Sequence, residues 1–404
     1  MRGLMRFNHS FFTAVLIIGA LILPASILAE EPPKKEFKPK VGGYVETWYR
    51  TDNSDLSDQT TAAKKVDNEF RVRRARIDVK GEVTDEIGYR VNGNFDGPSP
   101  ASGSASVKLW DGYVTYKVHP FANVTVGQFK FPFTLEGLEG TPDRIPVLRA
   151  ESINDIAAKL GTQGGSFRDI GVMVSGSYKH ALGLGYGVAV INGKGINTGD
   201  NNNDKDIVGR ITISPISGLT LGGSYYAGKG QDETATLEVK ESAYGVEAEY
   251  MLKDLGLSFR GEYVAAKWEN WGYTTTTTYA ANCPSPAGTA CTSKATTTTD
   301  WKAVDGVDQE PSGWYLQAAY KLPSLPAAQL MARYEDYEKD SNTADSHLKT
   351  TTLGATYYLK GKTRISANYL MRDAEDSSIV KAQETDAAGT RIDNLILVQM
   401  LVAY

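Results

Sequence analysis

The chain has 404 residues, with 43 Lys plus Arg against 48 Asp plus Glu, for a formal net charge of −5. That balance argues against nucleic acid as a partner. Beyond one apolar run near the start, no stretch is long and apolar enough for a membrane helix, which excludes a helical membrane protein. A mean hydropathy of −0.32 is not evidence against a membrane location, because a barrel strand is apolar only at alternate positions.

The chain opens with Arg2 and Arg6, then an apolar run from Phe11 to Leu23, then Leu28-Ala29 before Glu30-Glu31-Pro32-Pro33. This order is that of a secretory signal peptide, residues 1–29, with cleavage expected after Ala29. Residues 30–40 are charged and Pro-rich, and read as a flexible periplasmic lead.

From Val41 onward, segments of about ten residues alternate apolar and polar side chains, the dyad pattern of a transmembrane barrel. The predicted strands are 41–50, 68–81, 86–96, 106–117, 122–131, 168–179, 183–192, 205–214, 218–228, 241–252, 255–267, 312–322, 327–338, 347–360, 362–372 and 391–404. They number sixteen, an even count as a bacterial single-chain barrel requires. The connections alternate in length. Those at 82–85, 118–121, 179–182, 215–217, 253–254, 323–326 and 361 are short and carry turn residues. Those between them are long and polar, the pattern of periplasmic turns and extracellular loops. The expected fold is therefore all-β, a transmembrane antiparallel β-barrel over 41–404.

Within the second strand, Ala75, Ile77 and Val79 alternate with Arg74, Arg76, Asp78 and Lys80. An Arg on the lipid face at the midplane costs about 2–4 kcal/mol, so the charged set must face the lumen. Phe70 and Val72 have the opposite parity. Either a bulge near Arg73 resets the face, or that end lies above the bilayer. Arg74, Arg76 and Lys80 are then a cationic stripe for passing anions, or charges balanced by acids across the lumen.

The third extracellular loop, 132–167, is too rich in apolar and charged residues to be simply solvated. Ser152 and Asp155 resemble a capping box, and Ile153, Ile156, Ala157 and Leu160 fall on one helical face. A short helix folding inward makes Arg144, Arg149, Glu151, Asp155 and Lys159 candidates for a constriction. The alternative is a helix lying over the barrel mouth. The longest loop, 268–311, is Thr-rich and reads as a mobile extracellular segment without a core. It holds Cys283 and Cys291, for which a disulfide and two free thiols are both open; an oxidising compartment favours the disulfide.

Aromatic residues gather near the predicted strand ends (Trp48 and Tyr49, Trp110, Tyr225 and Tyr226, Trp268, Trp314 and Tyr315, Tyr357 and Tyr358), as interface girdles would. The last strand places Ile396, Val398, Met400, Val402 and Tyr404 on one face and ends on an aromatic residue. This resembles the signal read by outer-membrane barrel assembly machinery. His119, His180 and His347 fall at turns or rims, with no nucleophile and base together. No enzyme activity, metal or cofactor is expected.

Four segments follow one another in a distinctive order: Phe70-Arg-Val-Arg-Arg-Ala-Arg-Ile77, Val126-Gly-Gln-Phe-Lys-Phe-Pro-Phe133, Arg149-Ala-Glu-Ser152 and Arg168-Asp-Ile-Gly-Val-Met-Val-Ser-Gly176. In them the chain resembles the phosphate-selective porin O/P family. The resemblance implies a sixteen-stranded barrel, usually a homotrimer, set among outer-membrane lipid and lipopolysaccharide, with an inward-folded third loop. It implies a water-filled channel for passive diffusion of small ions and solutes, with a modest anion, phosphate-like preference. A structural or adhesive surface barrel without significant conductance is the alternative. The third loop itself mixes Glu136, Glu139, Asp143, Glu151 and Asp155 with Arg144, Arg149 and Lys159.

Overall fold

The computed structural model describes residues 38–52, 68–97, 105–157, 160, 167–178, 182–200, 202–231, 238–278, 296–303, 306–344, 346–375 and 394–404. The signal segment, Lys159, Cys283 and Cys291 lie outside these residues.

The first strands are β1 (Lys40–Asp52), β2 (Asn68–Glu82), β3 (Ile87–Asp96), β4 (Ser106–His119) and β5 (Ala122–Lys130). After the third loop come β6 (Arg168–Tyr178), β7 (Leu184–Ile191), β8 (Asp206–Ile216), β9 (Leu219–Gln231), β10 (Glu238–Leu252) and β11 (Leu257–Glu269). Then follow β12 (Trp271–Thr278), β13 (Thr296–Ala303), β14 (Ser312–Lys321), β15 (Ala328–Glu338), β16 (His347–Lys360), β17 (Thr363–Ala374) and β18 (Asn394–Ala403). All except β12 and β13 form one closed antiparallel barrel, each strand beside its sequence neighbour and β1 paired with β18. These are the sixteen strands expected from the alternation. No helix among the described residues is long and apolar enough to cross a membrane.

Closure leaves no open sheet edge, which lipid could not satisfy. At the seam, the Gly43 and Tyr404 backbones exchange hydrogen bonds of 3.1 Å. Gly43 is required there: a Cβ at this position would sit 2.1 Å from the Arg76 carbonyl oxygen.

Period-two alternation sorts the side chains. On β15, Gln329, Met331, Arg333, Glu335 and Tyr337 are buried inside, whereas Leu330 and Tyr334 are exposed outside. On β18, Leu395, Leu397, Gln399 and Leu401 point in, and Ile396, Met400 and Val402 point out. The exposed apolar side chains form the belt that faces lipid.

The register decides between the two readings of β2. Glu46 pairs with Arg74 but the next residue, Thr47, pairs with Val72, so Arg73 is the extra residue of a bulge. Phe70 and Val72 thereby stay on the outer face, and Arg73 and Arg74 both serve the inside.

The paired aromatics do not all belong to outer girdles. Tyr225, Trp314 and Tyr357 are exposed outside, but their neighbours Tyr226 and Tyr315 are buried inside, as are Trp48 and Trp268. Adjacent residues of a strand must take opposite faces. The loop 268–311 carries two further strands. Its Thr-rich arms pair as β12 and β13, Trp271 opposite Ala303 through Thr278 opposite Thr296. β-Branched residues that cannot make a core can still pair as extended strands.

Candidate functional site: a cationic constriction

The third loop leaves β5 at Lys130 and lies against the inner wall. Its first element is the single turn α1 (Leu135–Leu138), capped by Thr134, whose hydroxyl accepts the Gly137 N–H at 3.2 Å. The free N–H groups of Leu135 and Glu136 donate to the Glu262 carboxylate of β11 at 2.8 and 2.9 Å. At the other end, Lys130 Nζ donates to the carbonyls of Gly137, Leu138 and Glu139 at 2.9, 3.0 and 2.9 Å. An anion at the amino end and a cation at the carboxyl end satisfy groups that a short helix leaves unpaired.

Arginines of the far wall hold the rest of the loop. Arg333 of β15 pairs with Glu136 at 3.1 Å and donates to the Leu148 carbonyl at 3.3 Å. Arg364 of β17 donates to the carbonyls of Thr141, Pro142 and Arg144 at 3.0, 2.7 and 2.8 Å. Arg372 pairs with Glu151 at 3.1 Å, and Arg260 of β11 pairs with Glu139 at 2.9 Å. Asn368 accepts the Val147 N–H at 2.7 Å and Glu335 accepts the Glu151 N–H at 2.6 Å. Beyond Ser152 the chain makes a π-helical turn, Ile153–Ala157, rather than the regular helix its pattern suggests. Ile153, Ile156 and Leu160 are buried there, in one apolar cluster with Phe131, Phe133, Tyr226, Trp268 and Tyr315. Gly313 gives the loop room, since a Cβ on it would sit 2.6 Å from Ser152 Cβ.

With the loop on the β10–β17 side, an opening remains between it and β2–β6, seen as a cavity. It has a volume of about 230 Å3. Its cations are Arg73, Arg74 and Arg76 of β2, Lys108 of β4, Lys130 of β5, Arg149 of the loop and Arg168 of β6. Asp96 and Glu139 are the acids on the same lining.

The cations are positioned in different ways. Arg74 pairs with Glu46 at 3.2 Å, and Arg168 with Asp111 at 2.6 Å. Arg76 has neutral company: its Nε donates to Asn94 at 2.8 Å, and its guanidinium lies 4.3 Å from the Trp110 ring and 5.5 Å from that of Tyr44. Cation–π contact and amide hydrogen bonds hold a guanidinium without cancelling its charge. Lys130 is likewise held by carbonyls, and neither Arg76 nor Lys130 has an ion-pair partner among the described residues. On the loop, burial first, and then the charge of Arg144, pull the Arg149 guanidinium down to about 9, with Arg74 and Arg76 adding to the effect. It donates to the carbonyls of Glu136 and Glu139 at 3.1 and 2.8 Å.

Of the candidate constriction residues, Arg74, Arg76 and Arg149 therefore meet at one opening, and four do not. Lys80 is exposed at the turn end of β2 and lines a separate cavity with Lys38, Lys40 and Arg90. Arg144 is buried and turns back on its own segment, donating to the carbonyls of Pro146 and Val147. Glu151 faces Arg372, and Asp155 accepts the Tyr337 hydroxyl. Glu136, Glu151 and Asp155 thus turn to the wall, whereas Glu139 pairs with Arg260 of the wall but also lines the opening. Arg73, Lys108, Lys130 and Arg168 were missed in the sequence. The last two flank the loop and face each other in register, which was the available signal. The long polar connection 193–204 also contributes: Ile196 lines the opening and the Asn197 N–H donates to Gln128 at 2.8 Å.

Residues 44–394 match the model of the phosphate-selective porin O and P family. The chain belongs to this family. It is a porin of the bacterial outer membrane, a channel for small solutes. No curated protein sequence matches it. Among solved structures it is similar to an anion-selective porin from Comamonas acidovorans, at 14% identity and a TM-score of 0.59, over 91% of this chain and 100% of that one. It is also similar to OmpF of Salmonella typhi in complex with daunomycin, at 13% identity and a TM-score of 0.58, over 91% and 98%. The outer-membrane channel DcaP of Acinetobacter baumannii shares 16% identity at a TM-score of 0.54, over 93% and 100%. At such identities the likeness shows the fold.

Proposed function

We infer that this porin prefers small anions and that its narrow point is the opening between the third loop and β2–β6. The observation that carries this is the lining: seven cationic side chains against two acidic ones, with Arg76 and Lys130 held by neutral groups. A ring of cations in a low-dielectric wall attracts anions and repels cations. Arg73, Arg74, Arg76, Lys130, Arg149 and Arg168 are the residues assigned to this filter. The loop's own mixture of signs does not oppose the reading, because Glu136, Glu139 and Glu151 are matched by wall arginines.

The test is the reversal potential of the purified porin in a planar bilayer under a KCl gradient. A chloride-over-potassium preference is expected. A preference for potassium would overturn the assignment, and absence of conductance would point to an adhesive or structural barrel. The working unit is a homotrimer; a Vibrio cholerae OmpT structure of this fold is a trimer form. Unheated electrophoresis with crosslinking reads the oligomer directly. Residues 1–29 direct export, and the outer-face row of Ile396, Val398, Met400, Val402 and Tyr404 is the mark for barrel assembly.

A further inference from the structure

Aromatic rings are interleaved with the cations of the constriction. The Trp48 ring carries the guanidiniums of Arg71 and Arg73 at 4.9 and 5.3 Å. Trp110 carries Arg76 and Arg168 at 4.3 and 4.7 Å, and Phe167 carries Arg149 at 4.8 Å. Trp110, Phe167 and Ile196 share the lining of the opening with these arginines. Trp110 of this lining has a buried Nε1 without a hydrogen-bond partner among the described residues.

A compact, strongly hydrated inorganic anion gains from the donors of such a site but nothing from its ring faces and apolar edge. An anion that itself bears a flat ring gains twice. The guanidinium fork takes its carboxylate. The planar guanidinium faces and the aromatic edges take its ring. We propose that the constriction selects organic anions carrying an aromatic ring, single-ring carboxylates of the benzoate type, over compact inorganic anions. This rests on the anion preference inferred above and narrows it to a substrate class. Size permits it: the opening measures about 230 Å3, and a cavity of ~150 Å3 holds a benzene ring.

The experiment is block of the chloride current of the wild-type porin in a planar bilayer at neutral pH. Benzoate, cyclohexanecarboxylate and inorganic phosphate are each added to one side. The two carboxylates match in charge and carbon number and differ in aromaticity. Benzoate should half-block the current at about a two- to five-fold lower concentration than cyclohexanecarboxylate, the size of one cation–π contact, and below phosphate. Trp110→Leu should bring the two carboxylates together; if that variant does not insert, Phe167→Leu carries the same test. Equal block by both carboxylates in the wild type, or stronger block by phosphate, overturns the proposal. Loss of chloride preference in KCl alone overturns the anion reading instead, so the two failures are separately visible.

Discussion

Arg76→Gln isolates one charge of the filter. Arg76 has no carboxylate partner among the described residues, and a glutamine amide keeps a donor for Asn94, 2.8 Å from Nε. The variant therefore removes a unit charge without stranding an acid. An ion passing ~5 Å from that charge interacts with it by about 0.8 kcal/mol at the dielectric of water. Screening over a Debye length of ~10 Å in 0.1 M salt reduces this to about 0.5 kcal/mol. The sign is opposite for chloride and potassium, so their difference changes by about 1 kcal/mol, or about five-fold in permeability ratio. A less polar lining would enlarge the effect, which makes five-fold a lower value. Reversal potentials in a KCl gradient measure it, and heat-modifiable electrophoresis checks that the barrel has closed. A folded Arg76→Gln barrel whose chloride-to-potassium ratio stays within two-fold of the wild type would refute the assignment of Arg76 to the filter.

Arg74→Gln should act differently, because Arg74 pairs with a fully buried Glu46 that also accepts from Trp48 and Gln399 at 2.8 and 2.6 Å. It exposes an acid as well as removing a cation, so the ratio should fall further than in Arg76→Gln; a smaller fall would show that Glu46 is neutralised by its other donors. Arg333→Met leaves Glu136 and Glu335 facing each other without their shared cation, at a cost of about 3–5 kcal/mol for a broken buried pair. The unfolding midpoint in urea should drop and single-channel current should become larger and noisier, whereas a quiet trace of wild-type size would mean the loop does not depend on this contact. Gly313→Leu drives a side chain into Ser152; the loop must shift, and the conductance must change in a barrel that still closes. Unchanged conductance would place Ser152 elsewhere.

How far the sequence carries depends on the range of the interaction. Period-two alternation is local, and so are the residues of tight turns, and from these alone the strand count, the closed antiparallel barrel and the lipid-facing side of β18 could be read. Local parity also exposed the conflict in β2 between Phe70 and Ile77, and the register placed the bulge at Arg73. The aromatic pairs are legible as strand-end residues, and alternation sends one residue of each pair inward. Threonine runs cannot build a core, yet they pair as β12 and β13.

The filter is another matter. Sequence placed Arg74, Arg76 and Arg149 among the pore residues because a charge on a barrel strand has only one tolerable face and the loop was unusually apolar. It could not say which loop charges look into the opening. Glu136 meets Arg333, 197 residues away, and Glu151 meets Arg372, 221 residues away. Those distant partners turn the acids to the wall and leave the opposite side cationic. Composition showed a loop of mixed sign in a chain of net charge −5; the tertiary structure separated the signs. Alternation along a strand is set by the backbone and is written locally. The pairing of a loop charge is set by whichever strand the closed barrel brings opposite it, and that only the fold decides.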